Sequence, residues 1–98
     1  MIGYTAAARR QVSTLREYYK QEQRPEAARS LRTALRDAEA RIERDPDAGL
    51  PAPRPYPMLA QPGQAWIKAD SYWVRYSIGP VPTITGVFYD RANIPGRL

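Results

Sequence analysis

The chain has 98 residues and a formal net charge of +5, with 15 basic and 10 acidic side chains and neither cysteine nor histidine. This composition excludes a disulfide framework, a thiolate or imidazole zinc site and a catalytic triad built on histidine. Every basic residue except Lys20 and Lys68 is an arginine, whose flat guanidinium suits paired hydrogen bonds to phosphate or carboxylate. We therefore expect an acidic partner, such as nucleic acid, the ribosome or an acidic protein.

No apolar run approaches the length of a membrane span, and the N-terminus lacks an apolar signal core. We therefore expect a cytoplasmic protein that does not use a membrane. The ten acidic residues show no clustering typical of a metal site, so the sequence predicts neither a metal ion nor a cofactor.

Residues 5–44 predict a helical hairpin. Thr5 suits the N-cap of a first helix that runs to about Gln23, and Pro25 suits the first residue of a second helix that ends before Asp45. The very short connection between them predicts antiparallel packing. Apolar residues recur at helical spacing on one face of each helix: Ala8, Val12, Leu15 and Tyr19, then Ala27, Leu31, Ala34, Leu35, Ala38 and Ile42.

Residues 45–63 contain six prolines, which excludes a helix and a central strand. The apolar residues Leu50, Tyr56, Met58 and Leu59 within this segment predict a loop that lies on the domain. A flexible linker and a polyproline-type ligand for a partner protein are the alternatives.

The apolar period changes to two in residues 65–90, which predicts strands at 65–68, 72–78 and 83–89. Their short turns predict an antiparallel meander, followed by a short tail at 91–98. With a minimal strand at 1–4, the order is β-α-α-β-β-β in one domain. The predicted fold class is α+β, with a helical hairpin packed on a small antiparallel sheet.

The stretch "DSYWVRYSI" at 70–78 raises a question about the second face of this sheet. Tyr72, Val74, Tyr76 and Ile78 alternate towards the predicted core, so Trp73 and Arg75 lie together on the opposite face. We expect that face to be open to a partner. The alternatives are that Arg75 is a solvated charge and that Trp73 simply covers the sheet.

Three stretches resemble the RelE/ParE superfamily of toxins from type II toxin–antitoxin modules: "YTAAA" at 4–8, "YWVRYSI" at 72–78 and "ITGVFYDRANI" at 84–94. Together with the element order, the likeness spans nearly the whole chain. It implies a growth-inhibiting protein of the plasmid-stabilisation type. It also implies a small acidic antitoxin, with a segment that folds on binding and wraps the helical hairpin.

The resemblance leaves two chemistries open. RelE-like members cut mRNA in the ribosome. The residues here that match such a role are Lys68, Arg75 and Arg91, whose charges would stabilise the phosphate, and Tyr89, whose phenol, or alternatively a lysine, would act as the general base. ParE-like members poison DNA gyrase without breaking a bond themselves. For that role, Trp73, Arg75, Arg91 and Lys68 are the residues expected to bind the target or the antitoxin.

Two departures from the nuclease pattern favour the ParE-like branch. Trp73 stands where nucleases usually carry a strand arginine, and no helical tail with a late tyrosine precedes Leu98. Tyr89, by contrast, departs from the ParE-like pattern, because such proteins often carry a histidine there. Two hypotheses outside the family stay open. One is a nucleic-acid-binding module with exposed aromatic side chains, and the other is an adaptor that binds proteins through the proline-rich loop.

Overall fold

The structure is a computed structural model that describes residues 2–98. Its elements follow the order β1 (Gly3–Tyr4), α1 (Ala6–Gln21), α2 (Pro25–Arg44), β2 (Gln64–Ala69), β3 (Tyr72–Ser77) and β4 (Thr83–Tyr89). Short 3-10 helices lie at Pro57–Leu59 and Ile94–Arg97. The α+β class and the β-α-α-β-β-β order predicted from the sequence are confirmed.

The helices begin and end where the local chemistry predicts. The Thr5 hydroxyl accepts a hydrogen bond from the Ala8 N–H at 3.2 Å, which caps α1. Pro25 occupies the first turn of α2, where its missing N–H costs nothing. The turn between the helices places Gln23 in the left-handed region, at a φ of 53°.

The four strands form one sheet in the order β1-β4-β3-β2. The β2–β3 and β3–β4 pairs are antiparallel, as predicted, whereas β1 pairs parallel with β4, so the sheet is mixed. The direction of β1 depends on how α1 docks beside β4, where Gln11 Oε1 accepts a hydrogen bond from the Val87 N–H at 2.8 Å. The two residues of β1 form no pattern from which its parallel direction could be predicted.

One face of the sheet packs on the helical hairpin and forms the main core. The apolar stripes of both helices meet Ala65, Ile67, Val74 and Tyr76 there. Tyr76 also donates a hydrogen bond from its hydroxyl to the Pro46 carbonyl at 2.7 Å, which ties the end of the hairpin to the sheet. Ile78, which the alternation assigned to this core, lies beyond the end of β3 and is 44% exposed.

Candidate functional site

The face of the sheet that carries Trp73 is covered, and the prediction of an open face is therefore wrong. Trp73 is only 3% exposed. It belongs to a second buried cluster, which we call the aromatic cluster. Its buried members are Trp66, Trp73, Phe88 and Ile94, and Leu50, Tyr56 and Leu59 pack against them.

The proline-rich segment supplies the cover. Leu50 forms a bridge to Trp66, with two backbone hydrogen bonds of 2.7 Å, so the segment is fastened to the outer edge of β2. Tyr56 and Leu59 then reach the aromatic cluster, as expected for a loop that lies on the domain. Met58 differs from that expectation, because its side chain is 70% exposed.

Arg75 lies at the margin of the aromatic cluster and is half-buried. Its Nε donates to Thr85 Oγ1 at 2.9 Å and its Nη2 donates to the Thr85 carbonyl at 3.2 Å. The guanidinium lies 5.7 Å from the Trp66 ring and 5.9 Å from the Phe88 ring. Burial lowers the pKa of Arg75 from its usual value. The structure thus gives this arginine a packing role that the sequence did not predict.

Thr85 owes its contact with Arg75 to an irregularity in the sheet. Arg75 lies opposite Gly86 and Tyr76 lies opposite Ile84, so Thr85 is an extra residue on β4 without a partner on β3. Its hydroxyl both accepts from Arg75 and donates to Gln64 Oε1 at 2.9 Å. A regular alternation of apolar and polar residues does not predict where a bulge occurs. The contact between Thr85 and Arg75 was therefore not predicted from the sequence.

Lys68 is held in an ion pair on the same side of the sheet. Its Nζ lies 3.2 Å from Asp90 Oδ2 and 5.7 Å from the centre of the Trp73 ring. Arg54, from the proline-rich segment, lies 5.4 Å from the same ring. Trp73 therefore packs beneath two cations, and Asp90 offsets the charge of one of them.

Tyr89 and Arg91 are the two predicted site residues that are exposed. The Tyr89 ring lies 5.9 Å from the Tyr72 ring, and the Tyr72 hydroxyl shares a short hydrogen bond with Tyr19 of α1. Tyr89 is therefore on the helix side of the sheet, whereas Lys68 is on the side of the aromatic cluster. The four residues considered for phosphate chemistry do not converge on one point.

A cleft of about 560 Å³ lies on the helical hairpin, on the helix side of the sheet. Four arginines line it, two from each helix, and we call it the arginine cleft. None of these arginines was predicted as a site residue, although the spacings of seven residues in α1 and four in α2 put each pair on one helix face. Its lining residues are Tyr4, Arg9, Val12, Ser13, Arg16, Arg32, Leu35, Arg36 and Glu39.

The Trp66 indole N–H is fully buried, and no hydrogen-bond acceptor lies within reach among residues 2–98. In the same part of the chain, no group of three or more acidic side chains is placed to hold a metal ion. Neither of the two long helices described combines the length and the apolar character needed to cross a bilayer.

A comparison with protein-family models gave no match, and a comparison with curated proteins also gave none. The function of this chain must therefore be inferred from its own residues and their geometry, together with the resemblance that its motifs carry.

Proposed function

We propose that this protein is the toxin component of a type II toxin–antitoxin module, that it arrests growth by poisoning DNA gyrase in the ParE-like manner, and that a small acidic antitoxin neutralises it. The observation that carries the proposal is the β-α-α-β-β-β order of a strongly basic chain, with a helical hairpin packed on the sheet. The motifs at 4–8, 72–78 and 84–94 fall on β1–α1, β3 and β4 with the tail, respectively.

The positions of the candidate residues favour gyrase poisoning over mRNA cleavage. Charge stabilisation of a phosphate requires several cations aimed at one reacting group. Lys68 is instead paired with Asp90, Arg75 is held by Thr85, and Tyr89 lies on the other side of the sheet. A mechanism that needs only a basic contact surface is compatible with this arrangement.

Arg91 is the residue on which we base the target contact. It is exposed, it lies two residues beyond Tyr89 at the end of β4, and no ion pair holds it within residues 2–98. Tyr89 is exposed as well and adds an aromatic ring to the same end of the sheet. Trp73 does not belong to this surface, because the proline-rich segment covers it.

Production of the protein alone in a bacterium tests the first part of the proposal. Growth should stop, and co-production of an acidic protein encoded beside the gene should restore it. Purified protein should then inhibit DNA supercoiling by gyrase and leave mRNA in translating ribosomes intact. Normal growth with soluble protein present would refute the toxin proposal, and mRNA cleavage with gyrase unaffected would replace gyrase with the ribosome as target.

Arg91→Ala tests the proposed contact. We expect about a tenfold higher concentration to be needed for gyrase inhibition, equivalent to ~1.4 kcal/mol of binding free energy. Arg44→Ala, at another exposed arginine, is the matched control and should behave as the unchanged protein. Equal inhibition by both variants would exclude Arg91 from the contact. Circular dichroism of both variants should match that of the parent, since neither side chain is in a buried cluster.

A further inference from the structure

The part of the proline-rich segment that covers the aromatic cluster is attached to the sheet through its backbone at one point. We call this part, residues 50–60, the strap. Within residues 2–98, the backbone hydrogen bonds between the strap and the rest of the chain are the two that join Leu50 and Trp66. Four of its residues are prolines, which have no N–H to add to that attachment. Side-chain contacts hold the remainder of the strap in place.

The strap keeps its shape by contacts of its own. The Tyr56 N–H donates to the Pro53 carbonyl at 2.9 Å, and the Leu59 N–H donates to the Tyr56 carbonyl at 3.0 Å. A third bond of 3.3 Å joins the Ala60 N–H to the Pro57 carbonyl. The proline rings also fix φ at every second residue between 51 and 57, so a detached strap gains little conformational freedom. We therefore expect the strap to leave the sheet as one piece.

A glycine lies at each end of the strap, where such a movement requires a hinge. Gly49 directly precedes the strap, and a Cβ at this position would lie 2.5 Å from the Tyr76 hydroxyl, so the backbone can approach the sheet only without a side chain. Gly63 follows the strap in the left-handed region, at a φ of 79°, with no atom within 4 Å of a Cβ built there. Positions of this kind absorb the backbone rotation of a moving segment.

The closed arrangement leaves one polar group of the aromatic cluster unsatisfied. The Trp66 indole N–H is fully buried without an acceptor, and Trp66 is the residue to which the strap is fastened. An unpaired buried donor costs free energy that water restores when the group is uncovered. Ala52 and Pro53 are the strap residues that are fully covered, whereas Tyr56 and Leu59 are only partly buried. Opening therefore exposes a small apolar area and satisfies one buried donor.

We propose that the strap is a hinged cover, which opens as a unit while the helical hairpin and the sheet stay folded. Opening removes the covering side chains from Trp66, Trp73 and Phe88. Lys68 and Arg75, each 5.7 Å from the centre of one of these rings, then flank an accessible aromatic face. The strap thus controls access to the second face of the sheet. The opening is a property of the fold, and its test is independent of the proposed function.

Hydrogen exchange of the purified full chain, followed by nuclear magnetic resonance, tests the proposal under conditions in which exchange reports opening equilibria. The two reporters are the Leu50 backbone N–H and the Trp66 indole N–H. Val74, in a strand that is paired on both sides, reports global unfolding. We expect the protection factors of the two reporters to agree with each other and to be at least ~100-fold lower than that of Val74.

Three substitutions separate opening of the strap from unfolding of the domain. Ile42→Val weakens the main core, which is intact in both the closed and the open state, so it should lower the protection of Val74 roughly fivefold and leave both reporters unchanged. Leu59→Ala removes a contact that exists only in the closed state, and should lower the protection of all three groups by the same factor. Met58→Ala, at the exposed neighbouring side chain, is the control and should change none of them.

Two outcomes would overturn the proposal. Reporters that are as protected as Val74, or that respond to Ile42→Val as Val74 does, would mean that the strap leaves the sheet only in global unfolding. Reporters that disagree with each other would mean local motion, either fraying of the bridge at Leu50 or movement of the Trp66 ring alone.

Discussion

Replacement of Trp73 by alanine tests most directly whether the second face of the sheet is covered. An aromatic side chain of this size buries about 150–250 Å². The Trp73 side chain is only 3% exposed in the fold. At ~25 cal/mol per Å² of buried apolar surface, its burial contributes at most about 4–6 kcal/mol to the free energy of unfolding. Substitutions of buried tryptophan by alanine cost about 3–5 kcal/mol. The cations of Arg54 and Lys68 at 5.4 and 5.7 Å from the ring add to this cost.

A loss of that size is a large part of the stability of a small domain, which is typically ~5–15 kcal/mol. We expect the thermal midpoint of Trp73→Ala to fall by roughly 12 °C or more, because 1 kcal/mol corresponds to about 4–8 °C in a chain of this length. Far-ultraviolet circular dichroism is the appropriate probe, since it does not depend on the fluorescence of the removed indole.

Two control substitutions make the result specific. Trp73→Phe keeps an aromatic ring in the cluster and should recover at least half of the lost stability. Met58→Ala lies in the same proline-rich segment but at a side chain that is 70% exposed, and should change stability by less than about 0.5 kcal/mol. An unchanged midpoint for Trp73→Ala would refute the covered face. A loss of toxicity in this variant would say little about target binding, because the variant is expected to be strongly destabilised.

The main core and the polar contacts give further predictions. Leu31→Ala removes a fully buried side chain and should cost about 2–5 kcal/mol in urea denaturation, whereas Leu31→Asp should not fold. Thr85→Val removes the hydroxyl that the Arg75 Nε and Gln64 Oε1 share, and should lower the free energy of unfolding by ~1–3 kcal/mol. Thr14→Val, on the exposed face of α1, is the control and should leave that free energy unchanged. Burial and the bond to Tyr19 raise the pKa of Tyr72 above its usual value, so the unfolded chain releases this proton first. The contribution of Tyr72 to stability should therefore be constant below pH 10 and decrease above it, and the alkaline loss of stability should be shallower in Tyr72→Phe.

The local pattern of the sequence determined the elements and their order. A threonine cap, a proline at the start of α2 and apolar residues at helical spacing are signals within one or two turns of the chain, so both helices were predictable. The change to a period of two likewise marked β2, β3 and β4, and the apolar residues between the prolines indicated a loop that lies on the domain. These signals need no knowledge of distant contacts.

Only the tertiary structure shows which segments of the chain pack against each face of the helices and the sheet. Alternation correctly separated Trp73 from the core beneath the helices, but it carries no information about a segment some twenty residues away that covers the opposite face. The bulge at Thr85, the parallel pairing of β1 and the meeting of arginines from α1 and α2 also depend on long-range docking. The periodicity of a segment predicts on which face of a strand or helix a side chain lies. Whether that side chain is exposed depends on which distant segments of the chain pack against that face.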